Sequence, residues 1–163
     1  MVVSDHRTYV YVGLAGEGDY IGEGGIVRRA DGEEQWTDIS KGLPDNAQVR
    51  ALAIRPDDPQ IVFAGTDKGV FRSKDRGESW ETLSNPAPGS EVWSLTIHPG
   101  NPNVILAGYD PCSISRSDDG GDTWKMMDTS QVVYPFITTY MPPTAKRVIG
   151  IAFDPSDTKD IYA

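Results

Sequence analysis

Two short acidic turns hold the residue types that nucleophilic or acid catalysis would need. Ser73 and Asp75 lie two positions apart, as do Ser117 and Asp119, and a serine beside a carboxylate is the start of a nucleophile with its base or of a general acid. Asp118, Asp119 and Asp122 crowd one turn and make an oxygen donor set of the kind that suits calcium. Both chemistries fail on spacing. Catalytic groups must converge on one substrate, whereas this serine–aspartate pair recurs at a fixed interval along the chain. The carboxylates match neither an EF-hand loop nor a G-G-x-G-x-D repeat, so the turn reads as solvated, and neither a metal nor a cofactor is expected.

The interval is the informative feature. Trp36, Trp80 and Trp124 stand 44 residues apart, each at the end of an acidic turn. Ser73-Lys74-Asp75-Arg76-Gly77-Glu78-Ser79-Trp80 and Ser117-Asp118-Asp119-Gly120-Gly121-Asp122-Thr123-Trp124 both fit S-x-D-x-G-x-[ST]-W, while the copy around Asp31 has Arg29 for serine and Glu33 for glycine. A second motif recurs as Ala51-Leu52-Ala53-Ile54-Arg55-Pro56, Ser94-Leu95-Thr96-Ile97-His98-Pro99 and Gly150-Ile151-Ala152-Phe153-Asp154-Pro155. Its small–large alternation is that of a strand, and proline ends it because proline cannot donate to a ladder. Further strands follow at Ile61–Gly65, Val104–Gly108 and 160–163. No segment keeps a helical period. The chain is therefore expected to be all-β, built from four-stranded antiparallel units over residues 9–39, 49–83, 92–128 and 148–163 of a single partial domain, 1–163.

These motifs resemble the Asp-box repeats of β-propellers, a family that includes sialidases, xyloglucan-degrading hydrolases, sortilin-type receptors and the photosystem II assembly factor. The resemblance covers Tyr9 to Ala163 and implies an incomplete propeller of about three blades. It implies a structural role for Ser73, Asp75, Gly77, Ser117, Asp119 and Gly121, which close the turn between the third and fourth strands of a blade. Trp80 and Trp124 would pack between sheets, with Asp31 and Trp36 as the degenerate equivalents. The fold alone does not choose an activity, because it hosts several.

A ligand would be met on the opposite face, where the loops between blades gather at Ser40–Gln48, Thr66–Gly69, Ser84–Glu91, Tyr109–Cys112 and Asp128–Arg147. The last loop carries about 13 residues more than its counterpart and holds Tyr134, Phe136 and Tyr140. With Tyr109 and Asp110 these rings could stack on a sugar or anchor a protein. A sialidase would need an arginine cluster and a Tyr/Glu nucleophile pair, and neither is legible. Ile54-Arg55-Pro56 fills a slot that His98 and Asp154 fill elsewhere, so it is a repeat position. Other glycosidases need two carboxylates roughly 5–9.5 Å apart, and Asp45, Glu91, Asp110 and Asp128 share the face without a spacing that pairs them. The reading is a non-catalytic binding or scaffold module, a segment of a larger propeller; the alternative is a sialidase- or xyloglucanase-like hydrolase with its catalytic residues largely outside this segment.

Composition narrows the partners. A net charge of -9 repels phosphate backbones and anionic membranes, so nucleic acid is not expected. No apolar stretch is long enough for a membrane span, and the polar Met1–Arg7 shows no export signal, which leaves the compartment open. The single Cys112 excludes an internal disulfide. The partners expected are a protein or glycan ligand, and further blades or a second copy of the chain to cover the apolar faces of the terminal units, including Ile151 and Phe153.

Overall fold

A computed structural model describes residues 7–16, 23–128, 147–154, 157–159 and 161–163. These form four antiparallel sheets. The first has β1 (Tyr9–Leu14), β2 (Gly25–Ala30) and β3 (Thr37–Asp38); the second has β4 (Val49–Ile54), β5 (Val62–Thr66), β6 (Gly69–Ser73) and β7 (Glu81–Thr82). The third repeats the second with β8 (Glu91–Ile97), β9 (Ile105–Asp110), β10 (Ser113–Ser117) and β11 (Lys125–Met126), and the fourth has β12 (Ala152–Phe153) and β13 (Ile161–Tyr162). Strand order follows chain order throughout, as in propeller blades. Among the described residues no helix is long and apolar enough to cross a membrane.

Two clusters fill the spaces between sheets. Ile26 and Ile39 of the first unit pack with Val62, Ala64 and Trp80 of the second. Phe63, Val70 and Leu83 of the second pack with Val92, Ile105, Ala107 and Trp124 of the third. Each blade thus offers one apolar face forward and one backward, which explains why β5 is buried along its whole length. The alternation in the proline-ended strands serves this packing, since Ala53, Leu95 and Ile97 lie together against the second cluster.

Glycine sets the separation at the inner edge. A Cβ on Gly13 would stand 2.7 Å from Cγ1 of Val49, on Gly65 2.5 Å from Cγ1 of Val92, and on Gly108 2.5 Å from Cγ1 of Val148. The same pair therefore recurs at three successive junctions and places Val148 at the start of the fourth unit.

A cation closes the outer edge. Arg28 of β2 donates to the Arg76 carbonyl (2.7 Å) and to Glu78 (2.7 Å) in the next unit's acidic turn. Arg72 of β6, 44 residues on, donates to the Gly120 carbonyl (2.9 Å) and pairs with Asp122 (2.8 Å) in the turn after that. Both arginine side chains are largely buried, so these charge-assisted bonds are shielded better than an exposed pair.

The tryptophans differ by position. Trp80 is 6% exposed and donates its indole N–H to the Ile39 carbonyl of the preceding unit (2.7 Å); Trp124 is 9% exposed but donates to Gly121 of its own turn (2.9 Å). Trp36 is 43% exposed, with the Arg29 guanidinium 4.9 Å from its ring centre, because among the described residues no sheet packs over it. At the other end the expectation for Ile151 and Phe153 needs correction: both are half-buried, Phe153 edge-on to His98 at 4.8 Å between ring centres, while Ile149 and Tyr162 are exposed. Replacing Trp80 with alanine is expected to cost about 3–5 kcal/mol through lost transfer energy and a cavity, and Trp36→Ala less than about 1 kcal/mol. Denaturant unfolding of the two variants checks the contrast.

Candidate functional site

The acidic turns are built around a serine hydroxyl. Ser73 Oγ accepts from the Asp75 amide (3.2 Å) and the Gly77 amide (2.7 Å) and donates to Asp75 Oδ1 (2.7 Å). Asp75 in turn accepts from the Ser79 amide (2.9 Å) and hydroxyl (2.6 Å). Ser117, Asp119, Gly121 and Thr123 repeat every one of these bonds, in the same order, at 3.3, 2.8, 2.8, 2.9 and 2.5 Å. Gly77 and Gly121 have φ of 96° and 97°, a region that side chains resist, and each abuts the preceding sheet at Ile39 or at Leu83 and Phe63.

The electrostatics agree with a structural role. Burial pushes the Asp75 carboxyl up, but the bonds from Ser79 and Ser73 outweigh it and leave its pKa below the ordinary value. The Thr123 hydroxyl, then the Thr123 amide and Ser117, pull Asp119 down to about 2. Such groups are ionised at neutral pH and hold no proton to give. Asp118 pairs with Arg116 at 2.7 Å and Asp122 with Arg72, so the three crowded carboxylates diverge; among the described residues no group of three His, Cys, Asp or Glu could hold a metal ion. The copy at Asp31 lacks the hub hydroxyl, and Asp31 lies exposed with its amide on the Thr8 carbonyl (2.8 Å).

The loop-bearing end is defined by register. Val49 pairs with Thr66, which pairs with Gly69, so β4 begins beside the β5–β6 turn; Val92, Tyr109 and Ser113 pair alike in the third sheet, with Glu91 opposite Asp110 one position further out. Both inner strands carry a bulge at the same place, between Val49 and Ala51 and between Val92 and Ser94. The extra residues are Arg50 and Trp93. Bulges re-aim side chains and collect beside functional sites. Here they bring together residues from three units: the Trp93 ring has Arg50 4.7 Å and Arg147 4.1 Å from its centre. Trp93 donates to Glu91 (3.1 Å), Arg50 pairs with Glu91 (3.3 Å), and Arg147 pairs with Asp110 (2.7 Å). One nitrogen of Arg50, Nη1, is buried with no hydrogen-bond partner among the described residues.

Of the ligand-face residues expected from sequence, Asp110 lies in this cluster. Tyr109 does not reach a ligand: it is 0% exposed, its hydroxyl bonded to Ser115 (2.8 Å), because strand alternation turns it into the sheet interface beside Asp110. Tyr134, Phe136 and Tyr140 lie outside the described residues. Asp45 stays in its own exposed loop. Arg50, Trp93 and Arg147 were missed, although Arg50 and Trp93 hold the same repeat position, the one place where that position carries large polar or aromatic residues.

Sheets stacked in chain order, with two Asp-box turns on one side and interblade loops on the other, define a segment of an Asp-box β-propeller. The family model that matches residues 25–160 is Sortilin-Vps10, described as "Sortilin, neurotensin receptor 3", and the chain belongs to that family. It is 29% identical over 159 residues to the xyloglucanase Xgh74A of Acetivibrio thermocellus, covering 92% of this chain and 16% of that protein. Among solved structures it resembles an ancestral GH74 enzyme (TM-score 0.57, 20% identity, 71% of this chain and 18% of that one). It also resembles YCF48 bound to D1 peptide (TM-score 0.52, 15% identity, 76% of this chain and 44% of that one). Both are β-propellers. The chain thus spans about a sixth of the length of the curated relative it matches.

The depressed Asp119 makes a testable statement about acid. Its stabilisation is fully present above the ordinary pKa of 3.8 and is lost as pH falls through the folded value of about 2. Asp119→Asn is expected to melt at a lower temperature at neutral pH and to show a shallower loss of stability between pH 4 and 2 than the parent. Thermal melts across that range measure both.

Proposed function

We propose that this chain is a non-catalytic binding module, an arc of a larger Asp-box propeller that presents its loop-bearing face to a segment of another protein. The observation that carries the reading is the pair of bulges that bring Arg50 and Trp93 together with Glu91, Asp110 and Arg147. Trp93 offers an amphipathic surface, and the partly exposed Glu91 and Arg147 offer charges of both signs, a mixture suited to backbone amides and to charged side chains. A propeller with the same sheet arrangement is bound to a peptide in its own structure, which favours a protein ligand over a glycan.

A hydrolase is the second reading, because a relative is a xyloglucanase and because Glu91 and Asp110 are cross-strand partners. Both carboxylates are already engaged by guanidinium groups, however, and an acid catalyst must instead keep a proton and face the leaving oxygen. The expected outcome is that the chain captures members of a peptide library, that Trp93→Ala or Arg50→Ala weakens capture tenfold or more, and that xyloglucan is not cleaved. Xyloglucan turnover abolished by Glu91→Gln or Asp110→Asn would replace this reading with the second one.

A further inference from the structure

The chain carries two Asp-Gly dipeptides, Asp31-Gly32 and Asp119-Gly120, and they occupy the same place in the 44-residue repeat. An aspartate followed by glycine can rearrange its own backbone, because glycine has no Cβ to keep its amide nitrogen away from the preceding side-chain carboxyl carbon. The structure gives the two copies opposite access to that reaction.

At Asp119-Gly120 both reacting groups are engaged. The carboxylate accepts from the Ser117 hydroxyl and from the amide and hydroxyl of Thr123, bonds that keep it ionised, and the Gly120 amide donates to the Asn103 carbonyl (2.9 Å). The Arg76 amide of the preceding turn donates to the Gln60 carbonyl in the same way (2.9 Å), so this bond belongs to the complete motif. Bringing the Gly120 nitrogen onto the Asp119 carboxyl carbon would break several of these bonds at once.

The copy at Asp31 has none of them. Arg29 stands for the hub serine, Glu33 for Gly77 or Gly121, and Gln35 for the hydroxyl of Ser79 or Thr123. The Asp31 carboxylate takes part in no hydrogen bond or ion pair among the described residues. The backbone register differs by one residue as well. Val10, Val62 and Ile105 stand opposite Arg29, Ser73 and Ser117, which makes Thr8 the counterpart of Gln60 and Asn103. The Thr8 carbonyl nevertheless receives the amide of Asp31 itself (2.8 Å), and the Glu33 amide bonds to the Ala30 carbonyl (3.1 Å). Between them the Gly32 amide has no acceptor among the described residues; its φ is 83°, and a Cβ built there would meet nothing within 4 Å. These differences are internal to the turn and follow from residues 29, 33 and 35.

We propose that Asp31-Gly32 is a site of spontaneous isoaspartate formation, a backbone modification that the complete Asp-box turns prevent. The Gly32 nitrogen attacks Cγ of Asp31 in its acid form; the N–Cγ bond forms, the Cγ–OH bond breaks, and the amide proton leaves with that hydroxyl as water. The resulting succinimide takes up one water at either carbonyl carbon. Addition at Cγ restores aspartate, whereas addition at the main-chain carbon leaves the chain running through Cβ and Cγ with the free carboxylate on Cα. The net reaction is an isomerisation that needs no partner besides water. It lengthens the main chain by one methylene in the turn that joins β2 to β3, and it creates the carboxylate that an S-adenosylmethionine-dependent isoaspartyl methyltransferase esterifies.

The parent chain, kept folded at neutral pH for days and then cut with trypsin, tests the proposal through the peptides spanning 30–41 and 117–125. Isoaspartate is read by enzymatic methyl transfer and by split elution of peptides of identical mass, and is located by fragmentation. It is expected at Asp31 about tenfold or more faster than at Asp119, because Asp119 reacts only when its turn opens. Chain unfolded in denaturant is expected to form it at both positions at similar rates. R29S/E33G/Q35T, which rebuilds the hub, is expected to slow Asp31 to the rate of Asp119, and Ser117→Ala to speed Asp119 while leaving Asp31 unchanged. Equal rates at the two positions of the folded chain, or isoaspartate confined to the unfolded chain, would overturn the site. A triple variant with unchanged circular dichroism that still isomerises at the parent rate would overturn the missing hub as its cause.

Discussion

The close approach of glycine to valine at the inner edge is the contact on which the rest depends. A short sheet cannot bury either of its faces alone, so the blades persist only where consecutive sheets meet. At Gly13, Gly65 and Gly108 no side chain could be accommodated without moving the neighbouring valine or the strand that carries it. The acidic turns solve the same problem at the far end, with Gly77 and Gly121 against the previous sheet. Held at both edges, a blade has little freedom to slide. That is what lets single side chains such as Arg28 and Arg72 reach fixed acceptors in the next unit.

Fixing the blades also fixes where the inner strands begin, and this gives the two ends of the molecule different characters. At the Asp-box end each polar group answers another: a hydroxyl serves two amides, a carboxylate serves an amide and two hydroxyls, and the set is complete in two copies. At the other end the register is broken by bulges and the residues differ from one unit to the next. Position by position, Gln48, Glu91 and Arg147 are equivalent, as are Arg50, Trp93 and Ile149. Variation at one repeat position is the property on which the proposed three-unit site rests.

What could be read beforehand follows this division. The 44-residue interval, the proline-ended strands and the serine–aspartate turns announced the sheets and their junctions, because they are repeated and local. Trp80 and Trp124 were legible as core for the same reason. The site was mostly illegible. Arg50 and Trp93 stand inside strands whose alternation assigns every residue to one face or the other, and a bulge is invisible to alternation because it inserts one residue into the count. Tyr109 was misplaced by proximity to a turn, when the pairing Val92–Tyr109 carries its side chain into the interface.

The same logic separates the arginines. Arg28, Arg72 and Arg116 are identical in type and interval, so on sequence they form one class. Among the described residues Arg28 and Arg72 reach the acidic turn of the unit that follows, whereas Arg116 pairs with Asp118 of its own turn. Arg28 and Arg72 have given up most of their contact with water, a cost that each offsets with a carbonyl and at least one carboxylate. Arg116 keeps more of its contact with water, and its pairing with the exposed Asp118 is worth less than a shielded one. Breaking the Arg72 clasp would leave a largely buried guanidinium with Glu81 of its own sheet as its carboxylate partner.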